Sequence, residues 1–216
     1  MTLPRERRTH EGVRFVVIGQ TATASSEFSL DDLPGTSGRL DVLVRCVRAA
    51  LLVSHGVRRD TAIYLVLCGG PRAPRTVKID GSTVEYLRQD ERSLAGTLKS
   101  MLAWASDETK LGAGLRGIAI ASGGLDVVLA DAGACTPYVL DEGGADLRGA
   151  SLDVENALFF VGDHTGFSPE VRARIDALGA TALSVGPTSV HADDAIVIVQ
   201  NELDRRNRPK LERTPR

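Results

Sequence analysis

Leu158-Phe159-Phe160-Val161-Gly162-Asp163-His164-Thr165-Gly166-Phe167 and Leu183-Ser184-Val185-Gly186-Pro187 decide how the chain is read. Each joins an apolar run to a glycine-centred turn. A run of branched and aromatic residues stopped by Gly-Asp or Gly-Pro reads as a strand end. In open α/β sheets ligands bind where parallel strands end and the backbone turns outward. Either turn alone is equally a plain strand stop.

Working outward, strands alternate with helices. Val13 to Gly19, Thr61 to Leu67, Leu115 to Ala121, Thr136 to Leu140, Leu158 to Val161 and Ala180 to Val185 read as strands. Helices are expected from Arg39 to His55, from Ser93 to Ser106, from Ser168 to about Leu178 and from Ser189 to Arg206. Ser168-Pro169-Glu170 supplies an N-cap, a proline at the first helical position and an acid in the first turn. Leu125 to Ala130 fits either helix or strand. Asp80-Gly81 between Arg75 to Ile79 and Thr83 to Tyr86 predicts a peripheral hairpin, and Trp104 reads as a core anchor. The polar stretch at 20–36 is long for a loop in a compact domain and is kept as a possible RNA-facing element. This alternation predicts a parallel α/β sheet. Residues 1–206 are expected to form one domain, with a disordered tail at 207–216.

Composition narrows the function. Hydrophobic residues make up 43% and charged residues 25%, and no apolar stretch is long enough to span a bilayer. The basic N-terminus has no apolar segment behind it before the first strand, so no secretory signal is read and a cytoplasmic protein is expected. A net charge of −2 lacks the strongly basic signature of many nucleic-acid binders, so local clusters must carry any RNA contact. Cys46, Cys68 and Cys135 form no CxxC pair and indicate neither zinc nor a disulfide framework. GxxxxGK[ST], HExxH and GxSxG are missing, which disfavours triphosphate binding through a P-loop.

Two groups of motifs, in order, carry a more specific resemblance. The first comprises Phe28-Ser29-Leu30-Asp31-Asp32-Leu33-Pro34-Gly35, Gly38-Arg39-Leu40-Asp41-Val42-Leu43, Arg45-Cys46-Val47 and Ser54-His55-Gly56-Val57-Arg58-Arg59-Asp60. The second comprises Tyr138-Val139-Leu140-Asp141-Glu142-Gly143, the two glycine turns above, and Asn201-Glu202-Leu203-Asp204-Arg205. The ordered set resembles the archaeal tRNA pseudouridine(54) N1-methyltransferases, the TrmY family of the SPOUT methyltransferases. The resemblance implies a parallel-sheet SPOUT fold with a C-terminal deep trefoil knot, a homodimer, tRNA as substrate and S-adenosylmethionine as cofactor. Neither a membrane nor DNA is an expected partner. Other outcomes are a SPOUT enzyme acting on another nucleoside, such as rRNA pseudouridine, or a non-catalytic cofactor-binding RNA module.

Carried over by motif, the cofactor residues are Leu140, Gly162, Leu183, Ser184, Val185, Gly186, Pro187, Thr188 and Ala195. Ala195 stands where the family often has cysteine, and Asp141 where many relatives have histidine. Arg39, Asp41, Arg45 and Asp60 are the catalytic candidates for placing the base and handling its proton. Each also reads as half of a surface ion pair. Asp163 reads either as a cofactor contact or as a cap on its own turn. His164 and His191 read as loop residues, and no metal is assigned.

Overall fold

The computed structural model describes residues 12–105, 107–112, 114 and 116–207. The expected tail from 208 onward lies outside them. A seven-stranded sheet carries the fold in the order β6-β5-β4-β1-β8-β7-β9. In chain order its strands are β1 (Val13–Thr23), β4 (Thr61–Gly69), β5 (Arg75–Asp80), β6 (Ile118–Ser122), β7 (Thr136–Asp146), β8 (Ala157–Gly162) and β9 (Thr181–Ser184). Short strands β2 (Leu52–Val53) and β3 (Gly56–Val57) pair separately. The helices are α1 (Leu33–Thr36), α2 (Leu40–Leu51), α3 (Glu91–Ala103), α4 (Leu125–Ala132), α5 (Pro169–Ala177) and α6 (Ala192–Asn207).

The five strands from β4 to β9 in sheet order run parallel. Both of their faces are covered, which is why they read as unbroken apolar runs rather than as alternating ones. On one face Phe15, Leu65 and Phe159 pack with α2, α3 and α6 through Leu43, Leu98 and Val199. Phe159 stacks between Phe15 and Tyr138, at 5.6 and 5.0 Å between ring centres. On the other face Ile18, Tyr64 and Phe160 meet Leu125 and Val128 of α4 and Ile175 of α5. No helix among the described residues is long and apolar enough to cross a membrane.

Several expectations need correction. The sheet is mostly parallel, because β5 alone is reversed and pairs antiparallel with both its neighbours, β4 and β6. Arg75 to Ile79 therefore belongs to an interior strand and not to a peripheral hairpin. Asp80 ends that strand with its N–H on Gly117 O, while the Gly81 N–H binds Thr61 O and Val84 turns into the core. Helix α2 stops at Leu51, where Leu52 turns extended and pairs with Val57, ahead of the expected stop at Gly56.

Trp104 is 90% exposed. The buried stripe of α3 is Leu94, Ala95, Leu98 and Leu102, and Trp104 follows as the C-cap, about 200° around the helix from Leu102. It is the only tryptophan in the chain. The folded protein is therefore expected to show red-shifted tryptophan emission, quenched by iodide as fully as in urea. Emission that shifts strongly to the red only on unfolding would contradict this placement.

Candidate active site

At the carboxyl ends of β8, β7 and β9 the backbone opens a cavity of about 710 Å³. Its shape begins with strand register. Leu140 and Ala145 of β7 both stand opposite Leu183 of β9, so residues 141–144 are extruded from the pairing. Gly144 permits this, since a Cβ there would lie 2.5 Å from Leu183 N. Beyond β8, the Gly166 N–H closes a tight turn on Asp163 O, and Gly166 has φ 75°. A Cβ on Gly162 would stand 2.8 Å from Gly166 Cα, closer than side chains pack.

Asp163 fastens that turn. Its Oδ2 accepts the Gln20 N–H at 2.8 Å, and its Oδ1 accepts both the N–H and the hydroxyl of Thr165 at 2.8 and 2.6 Å. The end of β1 and the end of β8 are thus tied through one buried carboxylate, as its reading as a cap expects. His164, in the same turn, lines the cavity.

The second wall comes from the start of α2. Gly38 has φ 64°, and a Cβ there would lie 1.9 Å from Thr21 O, so the chain crosses the end of β1 only as glycine. Arg39 follows in the left-handed region at φ 69°, a conformation that non-glycine residues adopt at a cost and that is often held at functional sites. Its Nε and Nη2 donate to the two oxygens of Asp41 at 3.0 and 3.1 Å, and Arg45 Nη1 adds a bond to Asp41 Oδ2 at 3.1 Å. Arg45 also lies 3.6 Å from Asp193 and 3.8 Å from Glu91. The Asp41 side chain is only 3% exposed. Burial by itself pushes its carboxyl up, yet the bonds and charges of Arg39 and Arg45 hold it below the ordinary value.

On the opposite side Arg172 of α5 pairs with Asp141 through Nη1 and with Asp176 through Nε at 2.9 Å. Arg172, together with the Gly143 N–H, holds the Asp141 carboxyl below its usual range. In this chain the residue found where many relatives have histidine is therefore one half of an ion pair.

The cavity gathers Arg39, Arg45, Leu140, Gly162, Leu183, Ser184, Val185, Gly186, Thr188 and Ala195. Pro187 does not line it, and Asp41 sits behind its two arginines. Asp60 does not join the site. It precedes β4 at the amino end of the sheet, its carbonyl accepting Val13 N–H, while the cavity opens at the carboxyl end. Sequence reasoning left out Glu142, Phe167 and Arg172 as lining residues. For Arg172 a signal existed, an i,i+4 pair with Asp176 just inside the Ser168 cap. Among the described residues no cluster of three or more histidine, cysteine or acidic groups is arranged to hold a metal. Cys46 is buried, which pushes its thiol up and makes it a poor nucleophile.

A mostly parallel sheet with a glycine-lined, charge-rimmed cavity where three strands end defines an α/β protein built to hold a small ligand at strand ends. Comparison with known proteins is more specific. A family described as "Putative SAM-dependent RNA methyltransferase" matches residues 13–208. The tRNA (pseudouridine(54)-N(1))-methyltransferase of Methanosarcina acetivorans is 37% identical over 190 residues, covering 88% of this chain and 90% of that one. The protein of the same name from Methanocella arvoryzae is 40% identical over 198 residues, covering 89% and 99%. The chain belongs to this family of RNA methyltransferases. Nep1 of Archaeoglobus fulgidus, solved bound to S-adenosylhomocysteine, has a similar fold, with a TM-score of 0.59 over 90% of this chain and 98% of that one at 15% identity.

Proposed function

We propose that this protein transfers a methyl group from S-adenosylmethionine to N1 of pseudouridine at position 54 of tRNA. The carrying observation is that one cavity brings together backbone from three strand ends and the paired arginines of α2, next to each other in space and far apart in sequence. The residues present fit this cofactor. Leu140, Val161, Leu183, Val185 and Ala195 offer an apolar surface for a flat ring, Asp141, Glu142 and Arg172 offer both signs of charge, and a Cβ on Gly186 would meet nothing within 4 Å. When bound, the cofactor supplies a methyl group activated on a positively charged sulfur.

Pseudouridine is joined to ribose through carbon, which leaves N1 as a free ring N–H. Arg39 and Arg45, aligned by Asp41, form a fixed pair of planar donors on the wall facing the cofactor loops. Such donors suit a nucleic-acid phosphate or the carbonyl edge of an extruded base. Holding the base still accounts for much of what a methyltransferase must do. Asp41 is an orienting group and not the proton acceptor, because both of its oxygens are occupied and its carboxyl is acidic.

The proposal extends to a single domain through residue 206 with its C-terminal part knotted, a homodimer and a cytoplasmic location. A groove of about 500 Å³ between α2 and α6, lined by Arg48, Leu52, Val53 and Val197 and meeting the cavity at Arg45, supports docking of a second copy. Isothermal titration of S-adenosylhomocysteine, with sedimentation equilibrium on the same sample, tests these parts. Saturable binding at one site per chain and twice the chain mass are expected. Absence of binding would remove the cofactor assignment, and a monomer would remove the dimer.

A further inference from the structure

We propose that His164 accepts the N1 proton of pseudouridine, with Asp163 holding its ring. The inference rests on the methyltransferase reading above and asks which group the cavity offers for that proton. His164 lies in the turn between Gly162 and Gly166, lines the cavity, and keeps 34% of its side chain exposed. Its Nδ1 is 3.9 Å from Asp163 Oδ1, and the Asp163 side chain is 1% exposed. That carboxylate is fixed by Gln20 and Thr165, so it is a stationary partner for one ring nitrogen. With Nδ1 turned to Asp163, Nε2 is the nitrogen left to act as base. A histidine oriented by a carboxylate is a common form of general base, and apo geometries are often longer than those of the working complex.

The other ionisable groups around the cavity serve this role poorly. Arg39, at the N-cap of α2, and Arg45 act only as donors, both bonded to Asp41. Asp141 of β7 is engaged by Arg172 of α5, and Glu142 is a carboxylate, a much weaker base than imidazole. His191 precedes α6 and, among the described residues, has no carboxylate partner to orient its ring. Cys68, at the end of β4, has its thiol pushed up by burial first and then by the Asp163 charge, which disfavours the thiolate. In the transfer, N1 forms a bond to the methyl carbon as the carbon–sulfur bond breaks with its electron pair going to sulfur. The N1 proton passes to Nε2 and leaves to solvent after product release. No further reactant is needed.

Single-turnover methylation of a pseudouridine-containing T-arm RNA, followed against pH, tests the proposal in the full-length protein. The wild type is expected to show an acid limb, because only an unprotonated base accepts the N1 proton. His164→Gln should lose about 10²-fold at neutral pH together with that limb, and added imidazole should restore part of the rate. S-adenosylhomocysteine affinity and thermal midpoint should stay unchanged. His164→Asn should behave the same way, which guards against a fault particular to glutamine. An unchanged rate in both variants, an acid limb that persists, or a limb that vanishes only in His191→Gln would each overturn the assignment. A wild-type protein that binds the cofactor product but does not methylate the RNA would instead overturn the underlying functional reading.

Discussion

Gly162→Ala is expected to fold and yet to bind S-adenosylhomocysteine roughly 10²-fold more weakly, a loss of about 2.7 kcal/mol. The added methyl would lie 2.8, 3.0 and 3.2 Å from Gly166 Cα, C and O, all backbone atoms in a closed turn. Backbone cannot swing aside as a flexible side chain would. The turn must open, and with it go the carbonyl and N–H groups that line the cavity. Strand β8 itself keeps its pairing to β1 and β7, so melting should fall by only a few degrees. Gly186→Ala is the matched comparison, because its Cβ meets nothing within 4 Å. It should melt as the wild type does, and any affinity it loses reports direct contact with ligand. Titration calorimetry separates the two, and wild-type affinity in Gly162→Ala would contradict the placement of the cofactor beside β8.

Asp41→Asn should lower methyl transfer by about 10²-fold while leaving cofactor affinity nearly unchanged, since small displacements of positioning groups have effects of that size. The amide keeps the shape but removes the charge that aligns Arg39 and Arg45, and its NH₂ faces their donors. Losing a buried charged acceptor should also cost about 1–3 kcal/mol of stability. The pH dependence follows in sign from the depressed carboxyl. The Asp41 contribution is complete above the ordinary carboxylate range and disappears as pH falls through the lowered value in the folded protein. The stability gap between wild type and variant is therefore widest near neutrality and closes in acid. Urea unfolding across that range, with rates measured in parallel, checks both parts. A gap independent of pH, or an undiminished rate, would show that Asp41 does not organise the arginines.

Much of the fold was legible because it rests on local chemistry. Ser168 caps α5 by accepting the Val171 N–H, as Ser-Pro-Glu requires. The apolar runs around Phe15, Leu65 and Phe159 are buried on both faces, as parallel strands must be. What failed was whatever depends on distant partners. Asp80-Gly81 does turn, its Asp80 carbonyl accepting the Thr83 and Val84 N–H groups, but the N–H groups of Asp80 and Gly81 run to Gly117 and Thr61 and no paired strand returns after it. Trp104 is apolar and sits at helical spacing in sequence, but the helix ends one residue before it. In the site, the glycine turns were visible as strand stops, and the resemblance assigned their cofactor residues. Asp60 was grouped with Arg39 and Asp41 by motif alone. Only the direction of β4 shows it to be a sheet length away from them, since Thr61 begins that strand beside Val13. The orientation of His164 toward Asp163 could not be read from adjacency, because neighbouring side chains in a turn have no fixed relative direction.

The most direct test is nucleoside mass spectrometry of tRNA transcripts carrying either pseudouridine or uridine at position 54, after incubation with the purified protein and methyl-labelled S-adenosylmethionine. Label is expected in 1-methylpseudouridine from the first transcript and none from the second. No label in either transcript from protein shown to bind the cofactor, or label of equal yield in the uridine transcript, would contradict the account.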